Sequence, residues 1–443
     1  MFFKKAFAAG SVALALVATG CAGGTSIGDN PNEGADGTGE VTGNIRVAWW
    51  GSGPRNEVTN SVIDLFSAAH PGTTVEGESA DFQAYIERLN VQASSGNLPC
   101  ATQLQGRQLN DYTTKNVLLD LQPMIDAGTI DVSQIPPEVL DTGRGLDGKL
   151  YMIPYGAAYD AMTVNRTLAE QAGVELPAQG YDWEAFADWA VRAQPGLPDG
   201  VPAVNLGGGL PNNFISYVAG RGESLFADRQ LGFSEDLLVE YWEMWERIRA
   251  AGVTPTPEVN AEEPDQTEQR FVAQGKVAAD NLPGNALTPA QETLDGTQPG
   301  QQLATLPLPS GPAGSGNVLF TSGFAIPTTC ANVPAAAAFV DFFVNDDAGA
   351  KAFLSANGAV TNSRHLQQQL DDPALPELKR AELDLYQRIV AQGPVSVVYP
   401  PGYQASFENA FVRAYESIVF ADTPPREAAQ AFITEVNTVL ATT

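Results

Sequence analysis

Apolar and polar residues alternate in a regular pattern from residue 44 onward. Ile45 and Val47 alternate with Arg46 and lead into Trp49 and Trp50, which predicts a strand, since a period of two sends side chains to opposite faces. The following segments predict a helix from Asn56 to Ala69, a strand at 73–77, a helix at 82–93 and a strand at 101–104. Strands that alternate with helices are typical of an α/β fold with a parallel, doubly wound sheet.

The first twenty residues predict a signal peptide instead of a folded element. Lys4 and Lys5 form a positive n-region, and the apolar stretch 6–17 is too short to span a bilayer. The next residues, Ala18-Thr19-Gly20-Cys21, resemble a bacterial lipobox, which implies that Cys21 is lipidated at the outer face of the cytoplasmic membrane. An ordinary secretory peptide and an uncleaved anchor are the alternatives. Residues 21–43, rich in Gly, Asp, Asn and Thr, predict a flexible tether.

The charge of the chain excludes one class of partner. Among 443 residues, 24 are Lys or Arg and 52 are Asp or Glu, which gives a formal net charge of -28. Nucleic acids are bound through Lys and Arg, so a nucleic-acid partner is excluded, and attraction to anionic lipid headgroups is disfavoured. The length predicts about two or three domains.

No motif marks a catalytic or cofactor site. The sequence has no G-x-S-x-G, Walker, dinucleotide-binding or H-E-x-x-H motif, and its only histidines are His70 and His365. We therefore expect neither an enzyme nor a cofactor. The alternatives are a glycoside hydrolase, since two of the many carboxylates could meet in a cleft, and a non-catalytic surface scaffold.

The three cysteines comprise one candidate lipidation site and one candidate disulfide pair. If Cys21 carries lipid, Cys100 and Cys330 remain as an even pair in an exported, oxidising setting, which favours a disulfide. Two separate buried thiols are the alternative.

Polar and aromatic side chains follow the predicted strands at one edge of the sheet. Ligands of open α/β sheets bind beyond the carboxyl ends of the strands. Adjacent tryptophans there would suit the apolar face of a sugar ring as a stacking platform, although both could instead be core residues. The predicted ligand contacts at this edge are Trp49, Trp50, Asn56, Glu57, Gln105 and Arg107.

Four further segments resemble one protein family in their order and spacing. They are SGNLP at 95–99, GKLYMIPYG at 148–156, FVAQGKVAA at 271–279 and GFAIP at 323–327. Together with residues 44–107 they resemble the extracellular solute-binding proteins of carbohydrate ABC importers, the maltose-binding-protein-like superfamily. The resemblance implies a two-lobe, periplasmic-binding-protein-like α/β fold with discontinuous domains and a hinge. The implied lobes are 44–158 plus 312–345 and 163–305 plus 348–443, and Cys330 lies in the same lobe as Cys100.

The same resemblance implies a function. A monomer, held to the membrane only by its lipid, would capture a carbohydrate, expected to be an oligosaccharide, by closure of the lobes. It would deliver the sugar to the membrane subunits of an ABC permease and their ATPase. At the first crossing and in the second lobe, the predicted contacts are Tyr155, Tyr159, Asp160, Tyr217, Asn281, Asn285, Tyr399 and Tyr403.

Overall fold

A computed structural model describes residues 35–51, 53–264 and 266–442. The predicted signal peptide, Cys21 and most of the predicted tether lie outside the described residues. The last part of that tether is bonded to the fold, because Thr129 Oγ1 donates to the Asp36 carbonyl and Asn332 Nδ2 donates to the Thr42 carbonyl. Ordered structure therefore begins several residues before the predicted start at 44.

The first predicted elements are confirmed with small changes of length. The strands are β1 Gly43–Trp50, β2 Thr73–Ala80, β3 Ala101–Gln105, β4 Ile153–Asn165, β5 Phe226–Ala227, β6 Gln230–Leu231, β7 Ala279–Pro283, β8 Leu303–Pro307, β9 Leu319–Ala325 and β10 Ala359–Val360.

Helices surround these strands. They are α1 Gly53–Ala69, α2 Phe82–Ser95, α3 Leu109–Thr113, α4 Gln122–Asp126, α5 Pro137–Leu140, α6 Arg166–Gln171, α7 Trp183–Ala193, α8 Pro211–Gly220, α9 Glu235–Ala250, α10 Pro257–Asn260, α11 Leu287–Thr297, α12 Val333–Asn345, α13 Asp347–Phe353, α14 Ser363–Asp371, α15 Glu377–Ala391, α16 Asn409–Ala421 and α17 Pro425–Leu440.

The main sheet is mixed, although a parallel sheet was predicted. Its strand order is β10-β4-β9-β3-β1-β2; we call this the first sheet. Strand β1 pairs in parallel with β2 and β3, as the local alternation of strands and helices predicts. Strands β9, β4 and β10 are antiparallel to the strands they pair with, and local periodicity does not report the direction in which distant segments pair.

Strand β4 belongs to two sheets. Its first half pairs with β9, ending at Tyr159 opposite Leu319. Its second half starts at Asp160, opposite Pro283, and lies between β7 and β8 in the second sheet, β7-β4-β8. The change of partners between Tyr159 and Asp160 marks the place where the chain passes from one sheet to the other.

Each sheet has its own hydrophobic core. The first core contains Val47, Phe324 and Phe339, and the second contains Trp183, Trp242 and Phe411. The apolar spacing of Leu238, Trp242 and Trp245 predicts a packed helix over 235–250, and helix α9 occupies these residues with both tryptophans buried.

Near the C-terminus, the chain passes from the first core to the second at a later residue than the predicted lobe boundary. The segment that contains α14 and α15 packs in the first core, through residues such as Leu366 and Tyr386. The following segment packs in the second core, through Tyr399, Tyr403 and Phe407 and then through Phe411 of α16 and Phe432 of α17. The apolar face of α15 lies against β4, where the Tyr386 and Tyr159 rings stack with centroids 6.2 Å apart.

The predicted disulfide is confirmed: Cys100 and Cys330 are bonded, with their Cα atoms 4.9 Å apart. Cys100 directly precedes β3, Cys330 follows β9, and β3 pairs with β9. The bond therefore joins two distant chain segments within the first sheet.

We predict that replacing both cysteines by serine lowers the melting temperature by several degrees. The closed loop spans 230 residues, for which the chain-entropy description gives an upper figure of roughly 5 kcal/mol. Differential scanning calorimetry measures the effect, with the reduced wild-type protein as a control that should melt like the variant. Equal melting temperatures for the variant and the oxidised wild type would contradict the stabilising role.

Candidate ligand-binding cleft

A polar cavity lies where the two sheets meet. Arg107 enters it from the turn after β3, and Asp160 enters it from the point where β4 changes sheets. Its volume is about 350 Å³. Its lining consists of Arg107, Asp160, Leu210, Pro211, Asn212, Thr267, Arg270, Asn281, Pro283, Glu408, Asn409 and Val412.

Arg107 connects the first sheet to helices of the second core. Its Nη1 lies 3.0 Å from Glu408 Oε1, and its Nη2 donates to Asn212 Oδ1 over 2.8 Å. The guanidinium carbon lies 3.8 Å from the centroid of the Phe320 ring, a cation–π distance. Burial lowers the pKa of Arg107, but nearby tyrosines and carboxylates outweigh burial and raise it, so the side chain stays charged.

Two further hydrogen bonds join the loop after β3 to the segment before α16. Asn110 Nδ2 donates to the Tyr399 carbonyl over 2.7 Å, and the Gly402 amide donates to Asp111 Oδ1 over 2.6 Å. Burial raises the pKa of Asp111, although the Gly402 hydrogen bond opposes that shift.

Asp160 is a buried carboxylate at the junction of the sheets. It is 6% exposed, and its Oδ1 accepts a 3.1 Å hydrogen bond from Asn212 Nδ2. Burial raises its pKa to about 6, although Arg107 and the Asn212 hydrogen bond oppose the shift. Neighbouring groups of the chain therefore offset only part of the free-energy cost of burying the ionised carboxylate of Asp160.

Arg270 forms another wall and is already paired. It lies 2.8 Å from Glu263 and 2.9 Å from Asp280, and Asn205 Nδ2 donates to both carboxylates. Burial and the neighbouring Asp280 charge raise the pKa of Glu263 to about 7, against the opposing effect of Arg270. The guanidinium therefore serves mainly to balance these two carboxylates.

Asn281 has one satisfied and one unsatisfied polar atom. Its Nδ2 donates to Asn213 Oδ1 over 2.6 Å, whereas its buried Oδ1 has no hydrogen-bond partner among the described residues. Leaving a buried acceptor unpaired costs about 1 to 3 kcal/mol. Because Asn281 lines the cavity, a ligand that donates a hydrogen bond there would remove this cost.

The structure brings together only part of the predicted site. Arg107, Asp160 and Asn281 line the cavity, and Gln105 and Tyr399 line a separate pocket of about 10 Å³ beside Phe320, which shares Arg107 with the cavity. The Tyr403 ring is buried next to Tyr399, with centroids 4.5 Å apart.

The two tryptophans lie in cores, so the predicted stacking platform has no exposed ring. Adjacent residues of a strand face opposite sides, and Trp49 packs in the first core at 2% exposed. Trp50, 6% exposed, packs on the other face against Phe82 and Tyr85. A β-carbon on Gly77 would come within 2.8 Å of the Trp49 ring, which shows how closely that indole is packed.

The remaining predicted residues also lie outside the cavity lining. Asn56 accepts a hydrogen bond from Trp49 Nε1, and Glu57 is exposed on α1. Tyr155 packs against Phe324, Phe343 and Phe353, and the Tyr159 hydroxyl donates to the Glu382 carbonyl. Tyr217 is buried on α8 under Arg221, and Asn285 is half-buried in the turn after β7. Strand alternation and core packing account for the buried rings.

Nine of the twelve residues that line the cavity are absent from the predicted site, among them Asn212, Arg270 and Glu408. The sequence does single out Arg270 as a candidate site residue, because no other Lys or Arg occurs between Arg249 and Lys276. Asn212 and Glu408 meet Arg107 across sequence separations of 105 and 301 residues, which a local pattern does not report.

A larger cavity, of about 510 Å³, lies between β8, α11 and α15. None of the predicted site residues lines it. No cluster of three or more potential metal ligands occurs among residues 35–51, 53–264 and 266–442, and no helix within these ranges has the length and apolar character of a membrane span.

The family model described as a bacterial extracellular solute-binding protein matches residues 61–377. The chain belongs to this family. A Brucella abortus relative of this solute-binding protein, named as a binding protein, is 28% identical over 132 residues. That alignment covers 29% of this chain and 30% of the relative's length.

Solved structures show that this solute-binding protein has the two-lobe fold of its family. A family 1 solute-binding protein of Alicyclobacillus acidocaldarius is similar over 91% of this chain and 100% of its own, at 23% identity and a TM-score of 0.72. A Yersinia enterocolitica oligogalacturonide-binding protein, solved with digalacturonic acid, is similar over 90% and 99%, at 17% identity and a TM-score of 0.73. The GacH receptor of Streptomyces glaucescens, studied with acarbose, is similar over 91% and 99%, at 17% identity and a TM-score of 0.72.

We predict that Asp160→Asn stabilises the ligand-free protein at pH 8 by about 1 to 3 kcal/mol. The folded-state pKa of Asp160 lies above its unfolded value, so the folded state binds the proton more tightly. Wild-type stability should therefore fall as the pH rises from about 4 to about 6. The advantage of the variant should vanish below pH 4.

Urea denaturation at several pH values measures this difference in the free energy of unfolding. Asp64→Asn, which changes an exposed carboxylate on α1, is the matched control and should show no such pH dependence. An Asp160→Asn variant that is less stable than wild type at pH 8 would contradict the account.

Proposed function

We propose that this protein captures a carbohydrate in the cleft and delivers it to an ABC importer. The observation that carries the proposal is the polar cavity at the sheet junction, where Asp160 is buried with a hydrogen bond from Asn212 and the buried Oδ1 of Asn281 has no partner among the described residues. Sugar hydroxyls donate and accept hydrogen bonds, so a polyhydroxylated ligand would suit such groups. Two proteins of the same fold were studied with digalacturonic acid and with acarbose, which supports a carbohydrate as the ligand class.

Capture would proceed by closure of two lobes. We place the first lobe at 43–159 plus 319–391 and the second at 160–307 plus 399–440, according to sheet and core membership. A ligand that contacts both lobes binds the closed state more tightly, and that difference in affinity drives closure. The contacts of Arg107 should depend on closure, because Arg107 belongs to the first lobe and bonds Asn212 and Glu408 of the second.

The remaining parts of the proposal concern location and partners. We infer that lipid on Cys21 holds a monomer at the outer face of the cytoplasmic membrane, in reach of the permease subunits and their ATPase. No enzymatic step is proposed, since a binding protein releases its ligand unchanged. A hydrolase that acts on the same sugar would differ from a binding protein because it would convert the sugar to product.

We predict that a thermal-shift screen of oligosaccharides identifies ligands that raise the melting temperature, and that calorimetry shows one-to-one binding. At a hundred times Kd, such a ligand adds about 2.7 kcal/mol of stability. Asn281→Ala should weaken the affinity about tenfold, equivalent to about 1.4 kcal/mol, because it removes the unpaired acceptor. The ligand-free variant should remain folded.

Asn60→Ala, on the exposed side of α1, is the matched control and should bind like wild type. Chromatography of the sugar after long incubation tests for turnover. The proposal fails if no oligosaccharide stabilises the protein, or if the bound sugar is converted to product.

A further inference from the structure

Asp160 differs from the other carboxylates around the cleft in forming no salt bridge. Glu408 is paired with Arg107, while Glu263 and Asp280 share Arg270. No Lys, Arg or His among the described residues forms a salt bridge with Asp160 within 4.0 Å, although the side chain is 94% buried as judged from its 6% exposure. Buried charges in proteins are normally paired, so this exception points to a missing partner.

Both nearby guanidiniums form salt bridges with other carboxylates, and the charge of Arg107, which does act on Asp160, does not offset the burial of Asp160. Both Nη atoms of Arg107 are engaged, one by Glu408 and one by Asn212, and the Phe320 ring covers its guanidinium. Arg270 is held between two carboxylates. Asn212, which donates to Asp160, contributes a dipole but no charge.

The charged groups of the cavity lining are Arg107, Arg270, Asp160 and Glu408. Arg107 forms a salt bridge with Glu408, and Arg270 forms salt bridges with Glu263 and Asp280, so Asp160 is the charged group of this lining that has no salt bridge. A ligand carboxylate beside Asp160 would repel it, whereas a ligand cation would pair with it.

We propose that the cleft selects a sugar that carries a protonated amino group, with Asp160 as the partner of the ammonium and Asn281 as a neighbouring acceptor. This inference rests on the proposed carbohydrate function and names its substrate class. The ammonium would occupy the cavity beside Asp160 and donate to its carboxylate, while sugar hydroxyls would reach the rest of the lining. The raised pKa of Asp160 agrees with this arrangement, because a cation at that position would favour the ionised carboxylate.

The test compares disaccharides of one linkage that differ in a single substituent. The four probes carry a hydroxyl, an ammonium, an N-acetyl or a carboxylate group: glucose, glucosamine, N-acetylglucosamine and glucuronate disaccharides, with the same four in the galactose series. Calorimetry at pH 7.5 and low salt should show the ammonium form binding at least tenfold more tightly than the hydroxyl form. The carboxylate form should bind more weakly than either.

A variant and a salt series separate charge recognition from simple hydrogen bonding. The Asp160→Asn variant should bind the ammonium form within about threefold of its affinity for the hydroxyl form. The Asp64→Asn variant should keep the wild-type preference for the ammonium form. Raising the salt concentration should weaken the ammonium form more than the hydroxyl form, because screening acts on charge. Both readouts use the full folded chain.

Two results would overturn the inference. If the ammonium and hydroxyl forms bind equally in the wild type, and Asp160→Asn weakens both alike, Asp160 recognises hydroxyls and the charge selection is wrong, while the carbohydrate function stands. If no probe of either series binds, the inference also fails, and the broader oligosaccharide screen decides whether the proposed function fails with it.

Discussion

The sharing of β4 between two sheets is the constraint on which the rest of the structure depends. A single strand pairs with β9 up to Tyr159 and with β7 and β8 from Asp160 onward, so each sheet builds its own core around half of it. A cavity lies at this junction, and the first residue of the second pairing, Asp160, is in its wall.

The contacts across the junction are weaker than the packing within each core. At the cleft they include an ion pair of Arg107 and single hydrogen bonds such as that of Asn110 to the Tyr399 carbonyl. A hydrogen bond contributes about 0.5 to 1.5 kcal/mol net, whereas truncating a buried aromatic costs about 3 to 5 kcal/mol. Apolar packing also crosses the junction, of Phe320 against the second core and of α15 against α11 and β8, so the proposed closure would have to preserve it while the polar contacts at the cleft open. The disulfide does not oppose such motion, because both cysteines flank strands of the first sheet.

Sequence patterns predicted the elements that are determined by the spacing of neighbouring residues in the chain. Strand β1, helix α9 and the alternation up to β3 follow from periodicity, and Cys100 and Cys330 from the count of cysteines. The family resemblance led to Asp160 and Asn281, and strand-end position led to Arg107. The same reasoning misplaced Trp49 and Trp50, because a pattern that ends a strand with two aromatics does not tell which helices cover them. Glu408 could not be found locally, since it meets Arg107 from 301 residues away.

Hydrogen–deuterium exchange measured by mass spectrometry, with and without a sugar that stabilises the protein, tests the location of capture most directly. The account predicts slower exchange on both sides of the junction: at 105–111 in the first lobe, and at 210–213 and 402–412 in the second. Slower exchange on one side only would contradict closure around the ligand. Slower exchange confined to the cavity between β8, α11 and α15 would contradict the assignment of the cleft itself.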